Sequence, residues 1–553
     1  MKNKIILILL MTLFSLEGVA CNDGVLIKKI DNIEIYLGKL NRFLSNGQFG
    51  VFKANNQRMV YEICIKNTGS TEDVLINTCK SDRCDFTNKN YEIKYLVEWY
   101  KDANYDKNVY HDKNKKRSLA PELLVNSLDT IIVDKNNKNN LIKINKKEST
   151  SYISSDEFQI IEKADSHHRI AHNASKYIVK DEKNSDPIAI VDERRVYFFE
   201  NDIVNESEVF VKISKGDRKE TINIPVKVIP FELMDGLVDA GIYYRSLYNK
   251  GKPLLWSENK TTEQLNIEFS DMRKKGIDYP TAYLYRDYYK YMKARNSHDF
   301  PKDKIFLIDK ILLKHLNDKD WGSYSRRIKH IKKDRLFKGF DRIYFYLIDE
   351  PDKNKYEYIV NNVNKIIHDN DVGVFLAGKA DNLLDNIIDG GIYILAYEPL
   401  KKNADKLRLH NAKAYSYANP QIGVYGPKKM RLNYGFKIVA NGYSGIMPYA
   451  YQDSRGSQWS DLDHPQYRDH MLTYPTSDGL IQTVHGLALE NAIVDMKYMA
   501  TLNTVLDKYK EVCNRRPSIK ISPTEMTEGE LDKLRYKIAK NIVFYKKKIA
   551  VCS

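Results

Sequence analysis

The stretch Arg342-Ile-Tyr-Phe-Tyr-Leu-Ile-Asp-Glu-Pro351 joins a run of β-branched and aromatic residues to two adjacent carboxylates. A run of this kind without an interior charge is typical of a strand that is buried on both faces, as in a parallel sheet. Pro351 ends the strand, and the restriction that proline places on its neighbour predicts an extended Glu350, with Asp349 still in the ladder. Strict alternation would send the two carboxylates to opposite faces, but the break at the proline lets both face one pocket.

Strand-like and helix-like segments alternate on both sides of this stretch. Besides Tyr344–Ile348, strands are predicted over Gly241–Tyr244, Ile277–Tyr285, Val372–Leu376, Gly391–Leu395, Lys413–Tyr417 and Gly445–Tyr449. Helices are predicted over Gln264–Lys275 and Lys353–His368. An eighth strand should lie between Arg286 and Phe340, where the pattern does not place it. Eight such units predict an α/β fold, a (β/α)8 TIM-like barrel.

The hydrophobic pattern of the sequence is different before and after the barrel. Short alternating segments up to Leu233, separated by turn-rich stretches, predict an antiparallel β-sandwich. After the barrel we expect a long helix over His485–Leu506 and a final helix that starts at a capping box, Ser522-Pro-Thr-Glu525, and runs from Met526 to about Lys546. The predicted domains are a signal peptide at 1–20, the sandwich at 21–233, the catalytic barrel at 234–482 and C-terminal helices at 483–553.

The N-terminal residues are typical of an export signal. Lys2 and Lys4 precede the apolar run Ile5–Leu16, and small residues follow up to Ala20. The mature protein is therefore expected in the periplasm or outside the cell. A lipid anchor at Cys21 is the alternative, and it is disfavoured because no leucine stands three residues before that cysteine. The rest of the sequence has no run of about 18 apolar residues, so we predict no transmembrane segment.

Six cysteines in an exported chain indicate disulfides rather than metal ligands. Their spacing suggests that Cys79 pairs with Cys84 and Cys513 with Cys552, one of about 15 possible connectivities. We predict no metal site, because the sequence has neither a Cys-x-x-Cys pair nor a histidine cluster. We predict no cofactor either, because no glycine-rich loop that could cradle a phosphate is present.

The formal charge of +15 raises the question of a nucleic-acid partner. The lysines are interleaved with asparagine, as in Lys135-Asn-Asn-Lys-Asn-Asn140, which is typical of solvated loops. No arginine-rich helix or aromatic RNA-reading pattern accompanies them, so a nucleic-acid partner is not expected. Nothing in the sequence specifies an oligomeric state.

Candidate site residues follow from the barrel, because catalytic side chains lie at the C-terminal ends of its strands. Aromatic, carboxylate and amide side chains gather there, and they suit a sugar, which needs flat apolar faces and fixed hydrogen-bond partners. Asp349 and Glu350 are the candidate catalytic residues, and the partner is predicted to be a glycan or oligosaccharide. The candidates for substrate binding are Tyr285, Arg286, Tyr397, Tyr415, Tyr417, Asn419, Tyr449 and Tyr451.

The strand Ile343–Pro351 resembles the catalytic strand of the glycoside hydrolase family 123-like domain. The resemblance extends over Gly241–Leu506 through Phe269–Ile277, Arg431, Gly442–Tyr449, Tyr474–Gly479, Asp495 and Tyr498, with weaker matches at Pro121–Leu124 and Ile222–Leu233. It implies a leading β-sandwich and a retaining exo-β-N-acetylgalactosaminidase that uses substrate assistance. It further implies that Glu350 is the general acid/base and that Asp349 orients the 2-acetamido group of the substrate. We add Arg431 to the substrate-binding candidates.

Some positions depart from the family pattern. His485-Gly-Leu487 stands where the family usually carries a basic-aromatic-acidic patch, and Glu490 stands where an arginine is common. Met447–Tyr451 lacks the tryptophan that is frequent there. The alternative function is a non-catalytic carbohydrate-binding or surface-polysaccharide-associated protein on the same scaffold. The retained pair of carboxylates favours the enzyme.

Overall fold

The computed structural model describes residues 24–553 apart from 31–32, 39, 46–47, 68–73, 80, 84–88, 103–116, 126–130, 135–138, 147–148, 155–192, 204–205, 216, 247–259, 261, 285–287, 420–421, 423–426, 455–467, 476–479, 520 and 524–525. The chain forms two compact units. Unit 1 comprises residues 1–96 and 188–229, and unit 2 comprises residues 97–187 and 230–553. The domain limits inferred from the sequence stay predictions.

Unit 1 is built from two β-sheets that share one core. The first sheet holds, in spatial order, Val25–Ile30, Ile33–Leu37, Val60–Asn67, Glu193–Glu200 and the first half of Tyr91–Asp102. The second holds Arg42–Ser45, Gln48–Ala54, Arg218–Ile229, Glu208–Lys215 and Val74–Cys79. Ile35, Tyr61 and Phe198 of the first sheet share a core with Val211 and Ile224 of the second. The predicted β-sandwich is confirmed, with one parallel pair, Gln48–Ala54 beside Arg218–Ile229.

Unit 2 is centred on a parallel barrel. Its strands, in chain order, are β1 (Asp239–Ile242), β2 (Tyr279–Pro280 and Ala282–Leu284, interrupted at Thr281), β3 (Lys304–Asp309), β4 (Arg342–Asp349), β5 (Gly373–Gly378), β6 (Ile392–Ala396), β7 (Lys413–Tyr417) and β8 (Gly445–Ile446). Each strand pairs in parallel with the next. The barrel closes where Asp239 and Ala240 of β1 pair with Gly445 and Ile446 of β8. The predicted barrel is confirmed, and β3 is the strand that the sequence pattern did not place.

Helices follow the strands and cover the outside of the barrel. They are α1 (Thr262–Lys274) after β1, α2 (Tyr288–Asn296) after β2, α3 (Lys310–Asn317) and α4 (Trp321–Lys333) after β3, α5 (Lys353–Asn370) after β4, α6 (Ala380–Leu383) after β5, α7 (Lys401–Arg408) after β6, and α8 (Pro427–Met430), a π-helix (Arg431–Phe436) and α9 (Lys437–Ala440) after β7. A short 3₁₀ helix spans Arg335–Phe337. In α5, Asp352 caps the first turn by accepting from the Lys355 N–H, and the buried residues recur at helical spacing, so one face packs on the strands.

Unit 2 also contains strands outside the barrel. Ile131–Asp134, Asn139–Lys146 and Ser149–Ser154 form one of them, and Gln452–Asp453 pairs with His470–Met471. Arg117–Val125 pairs with Leu480–Thr483, which also pairs with Thr473–Pro475.

A buried charge network holds the strand Arg117–Val125. Glu122 lies 3.6 Å from Lys101 Nζ and 3.3 Å from His485 Nδ1, and it accepts from Tyr474 Oη at 3.1 Å. Burial alone would raise the pKa of Glu122, but the two basic partners and the hydroxyl outweigh it and lower that pKa to about 2.

Two long helices end the chain, α10 (Val484–Cys513) and α11 (Glu528–Cys552). The capping box of α11 is formed by Thr527 and Glu530, so the box predicted at Ser522–Glu525 is wrong; both stretches have the same spacing, and the helix starts at the second. The disulfide predicted between Cys513 and Cys552 is confirmed. Cys64 and Cys79 each take part in a disulfide as well. Cys84, which was predicted to pair with Cys79, lies outside the described residues. Among the described residues, no helix is long and apolar enough to cross a membrane.

Candidate active site

The two candidate catalytic residues, here named the acid pair, lie at the C-terminal end of β4, where a β-bulge changes which side chains face inward. Tyr346 belongs to the barrel interior and Leu347 to the outer core. The register with β5 shifts between Tyr346 and Asp349, so β4 carries one extra residue there. Ile348, which strict alternation would send inward, therefore packs in the outer core, and Asp349 takes the inward position. The bulge explains how Asp349 faces the barrel interior.

Glu350 leaves the strand with a left-handed backbone. Its φ is 39°, and its N–H donates to the Ala377 carbonyl at 2.9 Å. The extended Glu350 predicted from the sequence is therefore wrong. Proline disfavours the right-handed helical region for the residue before it, and the chain takes the left-handed region instead. A glutamate in that region costs roughly 1–3 kcal/mol, and such strain is concentrated at functional sites.

Each carboxylate of the acid pair accepts a hydrogen bond from a tyrosine of the barrel interior. Tyr346 Oη donates to Asp349 Oδ1 at 2.7 Å, and Tyr417 Oη donates to Glu350 Oε1. Because Tyr417 ends β7, three strands away from β4, the second bond reaches across the mouth. Burial raises the pKa of both tyrosines well above the usual value, and the neighbouring carboxylates raise it further. Both hydroxyls therefore stay protonated and act as donors.

Asp349 is reachable from solvent and yet surrounded by protein, as expected at the floor of a cleft. Desolvation raises the pKa of Asp349, the charge of Glu350 raises it further, and the hydrogen bond from Tyr346 opposes the shift. Glu350 is exposed as well, so a ligand can reach both groups. A protonated carboxyl beside an ionised one can protonate a leaving group and stabilise a developing positive charge at the same time.

Tyr449 lies at the mouth, at the end of β8, as predicted from its position. Its hydroxyl donates to Asp453 Oδ2 at 2.5 Å and accepts from Arg245 Nη1 at 3.1 Å. The peptide bond between Tyr449 and Ala450 is cis. The ring of Tyr243, just after β1, lies 5.5 Å from the ring of Tyr449 and 6.3 Å from that of Tyr346. Aromatic side chains thus connect the two sides of the mouth.

Tyr397 and Asn419 also follow barrel strands, but they differ in exposure. Tyr397 is the first residue after β6, has a φ of 72° and is 49% exposed, so its ring offers a flat surface. Asn419 follows β7 and is buried. Its side-chain oxygen accepts from Asn433 Nδ2 at 3.0 Å, and its N–H donates to Tyr434 Oη at 3.0 Å.

Two predicted binding residues, Tyr415 and Tyr451, are fully buried. Tyr415 donates to Asp239, at the N-terminal end of β1 and thus at the closed end of the barrel. Tyr451 donates to Asp271 Oδ2 of α1 at 2.7 Å, outside the barrel. Neither ring presents a surface to the mouth, so neither is proposed as a sugar contact.

Arg431, the first residue of the π-helix, is also buried and packs against the C-terminal helices. Its Nε lies 3.2 Å from Asp495 Oδ2 and its Nη1 lies 3.0 Å from Asp532 Oδ1, so its charge joins the π-helix to α10 and α11. This placement gives it a structural role. The remaining two candidates, Tyr285 and Arg286, lie outside the described residues.

Three residues that line the site, Tyr243, Tyr346 and Arg245, were not predicted from the sequence. Tyr346 stands three positions before Asp349, so strict alternation places the two side chains on opposite faces, and only the bulge in β4 brings both inward. Tyr243 is the first residue after β1 and Arg245 is the third, so the two stand at alternate positions beyond the strand end. Their position at the end of a predicted strand could have identified Tyr243 and Arg245, because every barrel strand contributes its last residues to the mouth.

Other acidic side chains at the described part of the mouth are held by basic partners. Glu398 accepts from Lys437 Nζ at 2.6 Å, and Asp453 accepts from Arg245 Nη1 at 3.0 Å. Within the described residues, the hydrogen bonds to the side chains of the acid pair come from Tyr346 and Tyr417. No group of three or more His, Cys, Asp or Glu that could hold a metal ion is found in the part of the chain that the structure describes.

Comparison with known proteins finds similarity in solved structures alone. No protein-family model and no curated protein matches the chain. An endo-1,4-β-mannanase from Rhizomucor miehei is 10% identical with a TM-score of 0.30, over 39% of this chain and 87% of that one. A β-glucuronidase from Ruminococcus gnavus is 11% identical with a TM-score of 0.31, over 53% of this chain and 59% of that one. A 2-keto-3-deoxygluconate aldolase variant from Sulfolobus solfataricus is 14% identical with a TM-score of 0.25, over 56% and 99%. These similarities span two hydrolases and an aldolase, and none identifies the family of this chain.

Proposed function

We propose that this protein is an exported glycoside hydrolase that removes β-linked N-acetylhexosamine, foremost N-acetylgalactosamine, by substrate-assisted retaining catalysis. The observation that carries the proposal is the acid pair. Asp349 and Glu350 are adjacent in the chain, exposed at the C-terminal mouth of a barrel, and each is fixed by a tyrosine. Export rests on residues 1–20, which lie outside the described residues.

The adjacency of the two carboxylates favours an internal nucleophile. In ordinary retaining glycosidases, two carboxyl groups about 5–5.5 Å apart flank the scissile bond, and one of them attacks the anomeric carbon. Consecutive residues at one strand end approach the sugar from the same side. The described acidic residues elsewhere at the mouth, Glu398 and Asp453, are held in ion pairs. The carbonyl oxygen of the substrate's 2-acetamido group can supply the missing nucleophile.

The reaction then proceeds in two steps. Glu350 gives its proton to the glycosidic oxygen while the acetamido oxygen forms a bond to C1, and the aglycone leaves as an alcohol. Asp349 accepts a hydrogen bond from the acetamido N–H and stabilises the positive charge of the oxazolinium ring. Glu350, now ionised, takes a proton from water, whose oxygen attacks C1 and reopens the ring with the starting configuration.

Substrate binding favours the charged form of Asp349. In the free protein, desolvation raises the pKa of Asp349, and the charge of Glu350 raises it further. An acetamido N–H that donates to Asp349 stabilises its ionised form. The bound substrate thus favours the negative charge that stabilises the oxazolinium ring.

Two of the positions that depart from the family pattern, His485 and Glu490, do not line the mouth, whereas the third, the stretch Met447–Tyr451, reaches it with Tyr449. His485 is buried against Glu122, and Glu490 is buried in the same helix, α10. Their buried positions support the enzyme over the non-catalytic alternative, because a change there leaves the acid pair untouched.

The test uses variants of each carboxylate with aryl glycosides. Glu350→Gln should lower turnover of poor leaving groups by about 10²–10⁴-fold and affect good leaving groups much less, because only the former need a proton. Asp349→Asn should impair all N-acetylhexosaminides, because the oxazolinium charge loses its partner. A thiazoline mimic of the cyclised sugar should inhibit.

Plain galactosides serve as the substrate control, since they lack the acetamido group. Equal turnover of galactosides and N-acetylgalactosaminides would exclude substrate assistance. Absence of activity on every N-acetylhexosaminide would refute the proposed function.

A further inference from the structure

A second polar cluster lies at the mouth, on the side of the barrel opposite the acid pair. It consists of Arg245, which follows β1, and of Tyr449 and Asp453, which follow β8, and it is named the far wall. In a closed eight-stranded barrel, strands that are four apart in the order face each other across the axis. β4 and β8 are four apart, and β1 is the neighbour of β8. A ligand on the barrel axis therefore lies between the acid pair and the far wall.

The three side chains of the far wall are hydrogen-bonded to one another. Arg245 Nη1 donates to Asp453 Oδ1 at 3.0 Å and to Tyr449 Oη at 3.1 Å, and Tyr449 Oη donates to Asp453 Oδ2 at 2.5 Å. The guanidinium also lies over the ring of Tyr283, with 5.6 Å between Cζ and the ring centroid. A planar guanidinium held by these contacts keeps a defined orientation. Its hydrogen bonds to a ligand cost little additional ordering.

The proposed roles of Glu350 and Asp349 determine the orientation of the pyranose ring in the mouth. Glu350 must reach the oxygen on C1, and Asp349 must reach the acetamido group on C2. In a pyranose ring, C4 is the atom opposite C1. The C4 hydroxyl of the terminal sugar therefore faces the far wall. Tyr243, whose ring contacts those of both Tyr346 and Tyr449, lies between the two sides.

We propose that Arg245, positioned by Asp453, binds the C4 hydroxyl and so determines whether the enzyme prefers the galacto or the gluco configuration. The inference rests on the proposed function and assigns a specificity role within the same site. C4 is the atom at which the two epimers differ, and a donor fixed on one side of the ring reaches only one of the two hydroxyl positions well. Because Asp453 neutralises the charge of Arg245, the far wall suits a neutral hydroxyl better than a sulfate or carboxylate.

The test compares kcat/KM on the 4-nitrophenyl β-glycosides of N-acetylgalactosamine, N-acetylglucosamine and the 4-deoxy sugar. Arg245→Met should lower kcat/KM on the preferred epimer by about 10- to 100-fold, the size expected for a lost hydrogen bond from a charged donor. The ratio between the epimers should move towards one, and the 4-deoxy substrate should change least. Arg245→Lys, which keeps the charge and the pairing with Asp453, should give an intermediate ratio. The lysine variant also serves if the methionine variant fails to fold.

Arg327→Met is the matched control. Arg327 Nη2 binds Asp309 Oδ2 at 2.7 Å, and Asp309 also caps α3, so this second Arg–Asp pair lies on the outer side of the barrel. Its loss should leave the epimer ratio unchanged. An equal decline on all three substrates in Arg245→Met and Arg245→Lys, with the epimer ratio of the wild type, would overturn the inference.

The inference and the proposed function fail in different ways. If the wild type hydrolyses none of the three glycosides, the proposed function is wrong, and the far wall is tested by binding of free N-acetylgalactosamine and N-acetylglucosamine in saturation-transfer NMR. Loss of discrimination between the two sugars in Arg245→Met supports the inference. Identical discrimination in wild type and variant, or binding of neither sugar by the wild type, refutes it.

Discussion

Replacement of Tyr417 by phenylalanine tests whether the hydrogen bond across the mouth positions the acid. The change removes one oxygen and keeps the ring, so the packing of the buried side chain is preserved. Tyr417 Oη donates to Glu350 Oε1, and hydrogen bonds to charged groups contribute about 1.5–3 kcal/mol. If this energy serves to hold Glu350 at the leaving group, kcat/KM should fall by about 10- to 150-fold.

The dependence on the leaving group distinguishes positioning from damage. Glu350 acts as an acid in the first step, so the loss should be largest for phenyl and alkyl β-N-acetylgalactosaminides and smallest for the 2,4-dinitrophenyl glycoside, which needs no proton. The assay is a series of kcat/KM values against the pKa of the departing alcohol. A steeper dependence in Tyr417→Phe than in the wild type is the expected result.

Tyr415→Phe is the matched control, because Tyr415 lies on the same strand and also donates to a carboxylate, that of Asp239 at the closed end of the barrel. It should cost stability and leave the leaving-group dependence unchanged. The reasoning is refuted if Tyr417→Phe shows wild-type kinetics, or if both variants lose activity equally across the series.

Three further predictions concern stability. The pKa of Asp349 is raised in the folded state, so ionisation of this residue destabilises the fold above its ordinary pKa of about 4. Asp349→Asn should therefore raise the melting temperature at pH 7. The difference in melting temperature between variant and wild type should vanish below about pH 4. The pKa of Glu122 is lowered to about 2, because Lys101 and the other partners of this carboxylate outweigh the effect of burial. Glu122→Gln should therefore reduce the free energy of unfolding at pH 7 by roughly 3 kcal/mol, measured by denaturant unfolding. This loss should shrink as the pH falls from 4.5 towards 2. The disulfide between Cys513 and Cys552 closes a loop with a sequence separation of 39, so its replacement by two serines should lower the free energy of unfolding by about 4 kcal/mol, and an unchanged unfolding midpoint would contradict this.

The barrel was predictable where strand and helix patterns are separate in the sequence. β4 is a short apolar run followed by Pro351 and then by helical spacing, so both elements stand apart. β3 was not placed, because only Asp309 and Lys310 separate its apolar residues, Ile305–Ile308, from those of α3, which begins at Lys310 without a turn between them. Hydrophobic periodicity does not distinguish a strand from a helix where the two follow each other without a turn.

The acid pair was predictable from its position, but the side chains around it were not. Alternation assigns Tyr415 and Tyr417 to the same face of β7, and it says nothing about depth along the barrel axis. Two residues along the strand separate a tyrosine at the closed end from one at the mouth. The bulge that turns Asp349 inward depends on the register with β5, a long-range pairing that no local pattern contains.

The pairing of β1 with β8 gives the site an unusual dependence on the last event of folding. Every other neighbouring pair of barrel strands is consecutive in the chain and can form locally, whereas β1 and β8 meet only after the whole barrel has been laid down, through two residue pairs. A partly folded barrel can already carry Asp349 and Glu350 in their final geometry while Arg245 and Asp453 are still apart. Hydrolysis of the 4-deoxy glycoside should then reappear during refolding before discrimination between the C4 epimers does, so that selectivity, rather than activity, reports the closure of the barrel.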